Sequence, residues 1–518
     1  MHKKKKLMIY AAFPYIPRLE TELEIADLHL NKGYDVVFVS CMGGLNTCPE
    51  NQKHRKLKCL SCTSRLKAGH NWLGKNRATL KRLYNLSDKQ RERIEKIMNK
   101  QIKCWDELRS IKIDSDDVGE AAFSELVSHM RETKPNFKKN IDFAKKLLEN
   151  ALIVHFSILN HLKKEKPDKF ILFNGRISAY RPALRVGVSL GINTKVLEVH
   201  FSNYGKYILT DRTYPHNPKA IADNILTAYN KSELSETDKK KIALKWYNER
   251  DGGNTNKQYS FTSKQIKGYG TNDLKHKKAL KVGIFISSED EFLCIDERKQ
   301  LFYENQNNAI AQITNDLKNE KMQFIVRAHP HLSRLNNTQT KGLKSVCESK
   351  NNIKYIPPES KVSTYELIDI CDIILVFGST VGIEAVHKNK PTILMGAAIY
   401  RGFGGTIEPK SHKELIKILK ESAKLGRIPK KYMPTKKAMQ KAATIYAFGL
   451  LEMGIEQKYQ KLNSFFKTSW IEKNGVRTYI RPHIIYRITD GFYWLPWFAG
   501  RVVKRASYEL KMLLAKKK

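Results

Sequence analysis

Two short runs carry side chains that can hold a phosphate. The first is Phe324–His331, FIVRAHPH, an apolar stretch that breaks into Arg327, His329 and Pro330. Arginine and histidine donate to phosphate oxygens, and proline fixes the turn while removing a competing N–H. The second is Asp372–Tyr400, DIILVFGSTVGIEAVHKNKPTILMGAAIY, where an apolar run stops at Gly378 and Ser379-Thr380 open a helical pattern. Ser and Thr are natural helix starts, and the free N–H groups of a helix start attract anions. Gly382 would let the backbone approach a ligand, and Glu384, one turn beyond Thr380, could accept from ribose hydroxyls. Taken singly, each run also fits a plainer reading: a loop histidine, or an ordinary capped helix with an exposed Glu.

The N-terminal half offers a complementary set. Asn174 and Arg176 follow the apolar run KFILF and are read as acceptor or cleft residues. Glu198 and His200 end the run TKVLEVH, and Glu198 is the candidate general base or acceptor contact, with a structural strand-end residue as the alternative. Cys41, Cys48, Cys59 and Cys62 are spaced C-x6-C-x10-C-x2-C. Four thiols so close in sequence fit a structural zinc or an iron–sulfur cluster, or else free or redox-active thiols. Asp114-Ser115-Asp116 is a D-x-D by pattern, but it falls in a charged helical stretch and is read as an acidic turn.

The elements that must position these residues alternate. Apolar runs at Leu7–Ala12, Asp35–Ser40, Lys169–Phe173 and Thr194–Val199 read as strands, with helices near 19–32 and 178–190. A cysteine-bearing loop follows the second strand, then a charged helical insertion from about Ser87 to Lys166. A second unit repeats the alternation: strands at Leu280–Ile286, Gln323–Ala328, Asn352–Ile356, Asp372–Phe377 and Thr392–Met395, with helices between. Alternating strands and helices imply parallel sheets with ligands at the strand C-termini. The expected architecture is α/β, with two Rossmann-like domains facing a cleft, a helical insertion and a helical C-terminal tail. The expected segments are 1–215 (acceptor domain), 216–278 (helical linker), 279–425 (donor domain) and 426–518 (helical, basic and aromatic).

The run RAHPH, followed about fifty residues later by FGSTVGIEAVHKNKPTILMG, resembles the donor domain of bacterial capsule polysaccharide glycosyltransferases, relatives of capsular Kdo transferases and polysialyltransferases. That resemblance implies a GT-B fold. It also implies that His329, Pro330, Ser379 and Thr380 contact a CMP-, CDP- or UDP-linked donor; His329 and, from its strand-end position, Glu198 are the catalytic candidates. No clear D/E-D-G motif, which several such families use for the base, is present. The partners it implies are a nucleotide sugar and a glycan or lipid-linked acceptor. A CDP-alditol polymer phosphotransferase on the same fold is the alternative.

Composition bounds the rest. The 518 residues carry 93 Lys+Arg against 52 Asp+Glu, a net +41, with 41% hydrophobic residues. That is apolar enough for real cores, which excludes global disorder. The surplus charge suits anionic partners. A zinc-containing nucleic-acid-binding protein is the weaker reading, because the charge is dispersed and the aromatics form no stacking stripe. The N-terminal apolar run ends at Pro14, too early for a secretory signal, so a cytoplasmic location is expected. The C-terminal GFYWLPWFAGRVVKRASYELKMLLAKKK sets aromatics beside cations, as peripheral contact with an anionic inner-membrane surface would require.

Overall fold

The computed structural model describes residues 4–74, 76–252, 264–275, 279–295, 302–463 and 468–482. Its frame is two parallel sheets. In the N-terminal half, the apolar runs form β1 (Lys6–Tyr10), β2 (Asp35–Ser40), β3 (Ala78–Arg82), β4 (Lys169–Phe173), β5 (Asn193–Val199) and β6 (Lys206–Asp211). β3, β2, β1, β4 and β5 lie side by side and parallel, and β6 adds antiparallel to β5. In the C-terminal half, β7 (Leu280–Phe285), β8 (Met322–Arg327), β9 (Ile353–Ile356), β10 (Ile373–Val376) and β11 (Thr392–Leu394) form an all-parallel sheet, order β11-β10-β7-β8-β9. Counted from its own first strand, each parallel set runs 3-2-1-4-5, the Rossmann order. Each therefore has a switch point between its first and fourth strands: β1 and β4 in one domain, β7 and β10 in the other.

Period-two alternation assigns the two faces of each sheet. Met8, Tyr10, Val37, Val39, Phe170 and Leu172 pack under the helices Val118–Met130 and Phe137–Glu165. Leu7, Ile9, Val36, Phe38 and Ile171 face the helix Arg18–Leu30 instead. In the second sheet, Ile374 and Val376 pack with Ile225, Trp246 and Tyr446, whereas Ile373 and Leu375 pack with Ile313 and Leu419.

The expected charged insertion is helical, as four separate helices between Asp88 and Glu165. Asp114-Ser115-Asp116 is a turn with Asp114 and Ser115 exposed, as expected, while the Asp116 carboxylate is buried against His155 Nδ1 at 2.5 Å. In the N-terminal half, β3, β6 and the helix Lys56–Trp72, which occupies part of the expected cysteine loop, were not anticipated.

The expectation of an all-helical C-terminal region needs correction. Lys436–Glu452 is a helix, but the chain then forms β12 (Ile455–Glu456), which pairs with β6, and a three-stranded antiparallel sheet over Gln460–Asn463, Thr468–Lys473 and Val476–Thr478. The reason is local. Asn474 (φ 52°) and Gly475 (φ 76°) both adopt left-handed backbone, as a two-residue hairpin turn requires. This segment docks on the N-terminal domain, where the Glu24 carboxylate accepts from the backbone N–H groups of Lys458, Tyr459 and Gln460 at 2.5–2.8 Å. The aromatic-basic tail beyond Pro482 lies outside the described residues, among which no helix is long and apolar enough to cross a membrane.

Candidate active site

The donor-side residues gather at the C-terminal edge of the second sheet. β8 delivers His329 and β10 delivers Ser379, and β7 lies between them, so the two loops stand two strand spacings apart, about 10 Å. His329 Nδ1 accepts from the His331 N–H at 3.1 Å. Burial pushes the His329 imidazole down to about 4, so it is neutral at neutral pH. With Nδ1 accepting, its proton resides on Nε2, a neutral donor suited to a phosphate oxygen. Pro330 starts the one-turn helix that follows.

At β10, Gly378 has φ 140°, and a Cβ there would stand 2.7 Å from the Ala397 carbonyl. The Ser379 carbonyl accepts from the Tyr400 hydroxyl at 2.6 Å, and Ser379 Oγ accepts from the Val381 N–H at 3.3 Å. Thr380 is exposed, and its side chain makes no cap bond to the short helix Val381–His387.

Three anticipated donor contacts have other tasks in this structure. Arg327 is buried and turned away: Nη1 donates to the Pro357 carbonyl at 2.6 Å and Nη2 to that of Ser360 at 3.2 Å, which ties down the loop after β9. Glu384 is buried and ion-paired with Arg250 Nε at 2.6 Å, within the core beneath the sheet. Gly382 makes room for Tyr400, not for a ligand, because a Cβ there would meet the Tyr400 hydroxyl at 2.2 Å. Strand-end position alone does not tell an inward side chain from one facing the cleft.

The opposite wall belongs to the first sheet. After β4, Asn174 (φ 60°) and Gly175 (φ 73°) turn the chain sharply. Asn174 Nδ2 donates to Glu198 Oε2 at 3.3 Å, and the Val199 N–H donates to Glu198 Oε1 at 3.0 Å. Burial raises the Glu198 carboxyl, against the pull of Arg18 and Arg176, which makes it a better proton acceptor than an ordinary carboxylate. His200, on the same strand end, is structural: Nδ1 accepts from two backbone N–H groups, leaving Nε2 to donate to the Leu450 carbonyl at 2.8 Å.

The loop after β7 joins the walls, and the sequence reading overlooked it. Arg176 Nη1 donates to the Glu291 carbonyl at 2.7 Å. Arg131 pairs with Asp290 and donates to Ser288 Oγ and His331 Nε2, both at 3.1 Å. His331 Nδ1 in turn meets Glu291 Oε1 at 2.5 Å. Burial raises the Glu291 carboxyl, but His331 and neighbouring cations outweigh that and hold it below its ordinary value. The signal available was SSEDE directly after a predicted strand.

A cavity of about 880 Å³ opens at the C-terminal ends of β1, β2 and β4, beside Asn174 and Arg176. Cys41, Cys48, Cys59 and Cys62 all line it as free thiols. Among the described residues no group of three or more His, Cys, Asp or Glu side chains is placed to hold a metal, so the expected zinc or iron–sulfur site is not formed. The four thiols line one cavity and lie near enough to raise one another's pKa. Cys59 and Cys62 sit a helical turn apart on Lys56–Trp72, and burial pushes Cys48 up to about 12 and raises Cys41 and Cys62.

Residues 298–433 match the family described as "Capsule polysaccharide biosynthesis protein". The match takes in both RAHPH and FGSTVG and agrees with the resemblance drawn from them. No curated protein matches the sequence. Among solved structures, the chain is similar to a beta Kdo 2,4 transferase, KpsC of Thermosulfurimonas dismutans, at 15% identity and TM-score 0.33, over 63% of this chain and 87% of that one. A beta Kdo 2,7 transferase of the same organism gives 12% identity and TM-score 0.34, over 64% and 88%. The UDP-GlcNAc 2-epimerase of Methanocaldococcus jannaschii gives 13% and 0.27, over 86% and 99%. Likenesses this distant carry no chemistry across to this chain.

Proposed function

We propose, from the match of residues 298–433 to the capsule polysaccharide biosynthesis family, that the chain is a GT-B glycosyltransferase building a surface polysaccharide from a nucleotide-sugar donor. The donor phosphates lie across the ends of β8 and β10, against His329, Pro330, Ser379 and Thr380. The sugar points to the opposite wall, where Glu198 takes the proton of the attacking acceptor hydroxyl. Arg131 and Arg176 hold the two walls at a fixed separation, which preorganises donor and acceptor.

The observation that carries this reading is one of placement. Both motifs read as gripping phosphate open on the same sheet edge, and that edge faces the strand ends of the other domain that bear Asn174, Arg176 and Glu198. Departing phosphate is stabilised by a neutral histidine donor, hydroxyls and cations, with no metal-binding D-x-D needed at the edge. Arg327 and Glu384 serve as positioning residues, one for the loop after β9 and one for the helix behind Ser379.

The acceptor approaches from the N-terminal domain, and a lipid-linked one fits best. The chain leaves the described residues at Pro482, on the cavity rim, and continues into the aromatic-basic tail. That tail and the net charge of +41 support docking on an anionic membrane surface.

The test is donor hydrolysis and thermal shift with CMP-, CDP-, UDP- and GDP-linked sugars and with CDP-glycerol. A shift with a nucleotide sugar, lost in His329→Ala, is the expected outcome. A response to CDP-glycerol alone would favour polymer phosphotransfer. No response to any nucleotide would end the enzyme reading.

A further inference from the structure

The 880 Å³ cavity is larger than a single monosaccharide needs, and its lining is unusually provided with unused donors. Phe13, Tyr15, Phe173 and Tyr180 form its apolar wall, with ring centroids 5.5–5.8 Å apart. Three guanidinium groups reach it from that wall. Arg65 is fully employed, paired with Glu20 and donating to the Pro14 carbonyl at 2.7 Å. Arg18 is less committed: its guanidinium lies 3.5 Å over the Phe173 ring and 4.7 Å from that of Tyr15, and it lowers the Glu22 and Glu198 carboxyls through its charge without forming a salt bridge among the described residues. Arg176 spends Nη1 on the Glu291 carbonyl, while its Nε is sealed from solvent with no acceptor. The Tyr15 hydroxyl is likewise sealed and unpartnered.

An unsatisfied buried donor costs about 1–3 kcal/mol, so the two here, Arg176 Nε and the Tyr15 hydroxyl, mark places where a ligand's acceptors belong, with the stacked, half-buried Arg18 guanidinium beside them. Of the two carboxylates behind them, Glu22 does not cancel the two cations. Burial raises Glu22 to about 8 and also raises Glu198, which leaves Glu22 largely neutral at neutral pH. Glu50 is the remaining acidic group on the lining, and Lys58 and Arg481 line it as well. The stacked arginine keeps a fixed orientation, which suits a planar or tetrahedral oxyanion approaching its edge.

We infer that this cavity receives the acceptor's anionic end, a carboxylate- or phosphate-bearing terminal unit whose oxyanion sits between Arg18 and Arg176 with the Tyr15 hydroxyl as third donor. This rests on the reading that the N-terminal edge binds the acceptor, and it adds the acceptor's chemical class. The oxyanion anchors the unit, the aromatic wall covers its apolar face, and the free hydroxyl is presented towards Glu198.

The experiment is equilibrium binding of the full chain to three probes: a glucuronic-acid-ended oligosaccharide, a glycosyl phosphate, and a neutral oligosaccharide of the same length. Binding of either acidic probe at least tenfold tighter than the neutral one is expected, and whichever binds identifies the source of the oxyanion. Arg18→Gln should lose that tenfold preference, and Arg18→Lys should retain part of it, with circular dichroism unchanged in both. Equal binding of acidic and neutral probes, or an unchanged preference in a folded Arg18→Gln, overturns the inference. Nucleotide thermal shift, measured on the same samples, reports separately on the donor site. A normal nucleotide response without acidic preference sinks the acceptor class alone, whereas acidic preference without any nucleotide response sinks the transferase reading.

Discussion

In the proposed donor site, His329 is the side chain on which binding would depend most. Its buried, neutral imidazole offers a donor that needs no counter-ion. His329→Ala and Ser379→Ala are expected to lower transfer by about 100-fold or more, as removal of one preorganised donor does in other transferases of charge. Their melting temperatures should stay near that of the parent, and full activity in either folded variant would refute the donor-site assignment. Gly382→Ala should behave differently. Its methyl would overlap the Tyr400 hydroxyl, which holds the Ser379 carbonyl. Overpacking of this kind costs about 1–3 kcal/mol, so a lower denaturation midpoint should accompany any loss of activity. These residues also show how far a motif can be read. His329 and Ser379 were chosen because strand-end loops in parallel sheets face ligands, and the structure places both at that edge. Arg327, two residues before His329, points inward to backbone carbonyls, and nothing in RAHPH distinguishes the two directions.

Among the elements, the helix Lys436–Glu452 matters for holding the two sheets together. Lys206 Nζ donates to its last carbonyls, Leu451 and Glu452, at 3.0 and 3.1 Å, a cation at the negative end of a helix. His200 donates to the Leu450 carbonyl. Burial pushes His200 down from 6.5 to about 4, so the folded chain resists a proton that the unfolded chain accepts. Stability contributed by neutral His200 is therefore present above about pH 6.5 and is lost as pH falls towards 4. Thermal melts across that range should show a declining midpoint, with a shallower decline in His200→Gln; identical slopes would mean that other groups govern the acid response. The strands that follow this helix were foreshadowed by Asn474-Gly475, a hairpin dipeptide between alternating residues, but aromatic and basic composition obscured it. The helix carrying Cys59 and Cys62 was equally hard to see. It has almost no amphipathic contrast and owes its place to the cavity wall.

For the whole molecule, two surfaces set behaviour. The first is the interdomain contact at Arg131, which pairs with Asp290 and donates to Ser288 and His331. Removing one partner of a largely buried pair strands the other charge. Arg131→Ala should accordingly enlarge the radius of gyration in solution scattering and raise KM for donor more than it changes kcat, and an unchanged scattering profile would argue that other contacts hold the cleft. The second is the charged exterior. The full chain should sediment with phosphatidylglycerol vesicles but not with phosphatidylcholine vesicles, and salt near 1 M should release it, because the Debye length shrinks to about 3 Å. Salt-independent binding would point to apolar insertion instead.

Strand runs, their alternation with helices and the two loops proposed to grip phosphate are local properties, written in periodicity and in residue types a few positions apart. They were legible before any coordinates, and with them the paired Rossmann domains. Which side chains meet across hundreds of residues is not local. The Arg131–His331–Glu291 bridge joins segments 200 and 160 positions apart, and the thiols' arrangement as a cavity wall instead of a metal cage depends on how a helix, a strand end and a loop pack together. Contacts of that kind arise from the packing of whole elements, and no spacing rule along the chain encodes them.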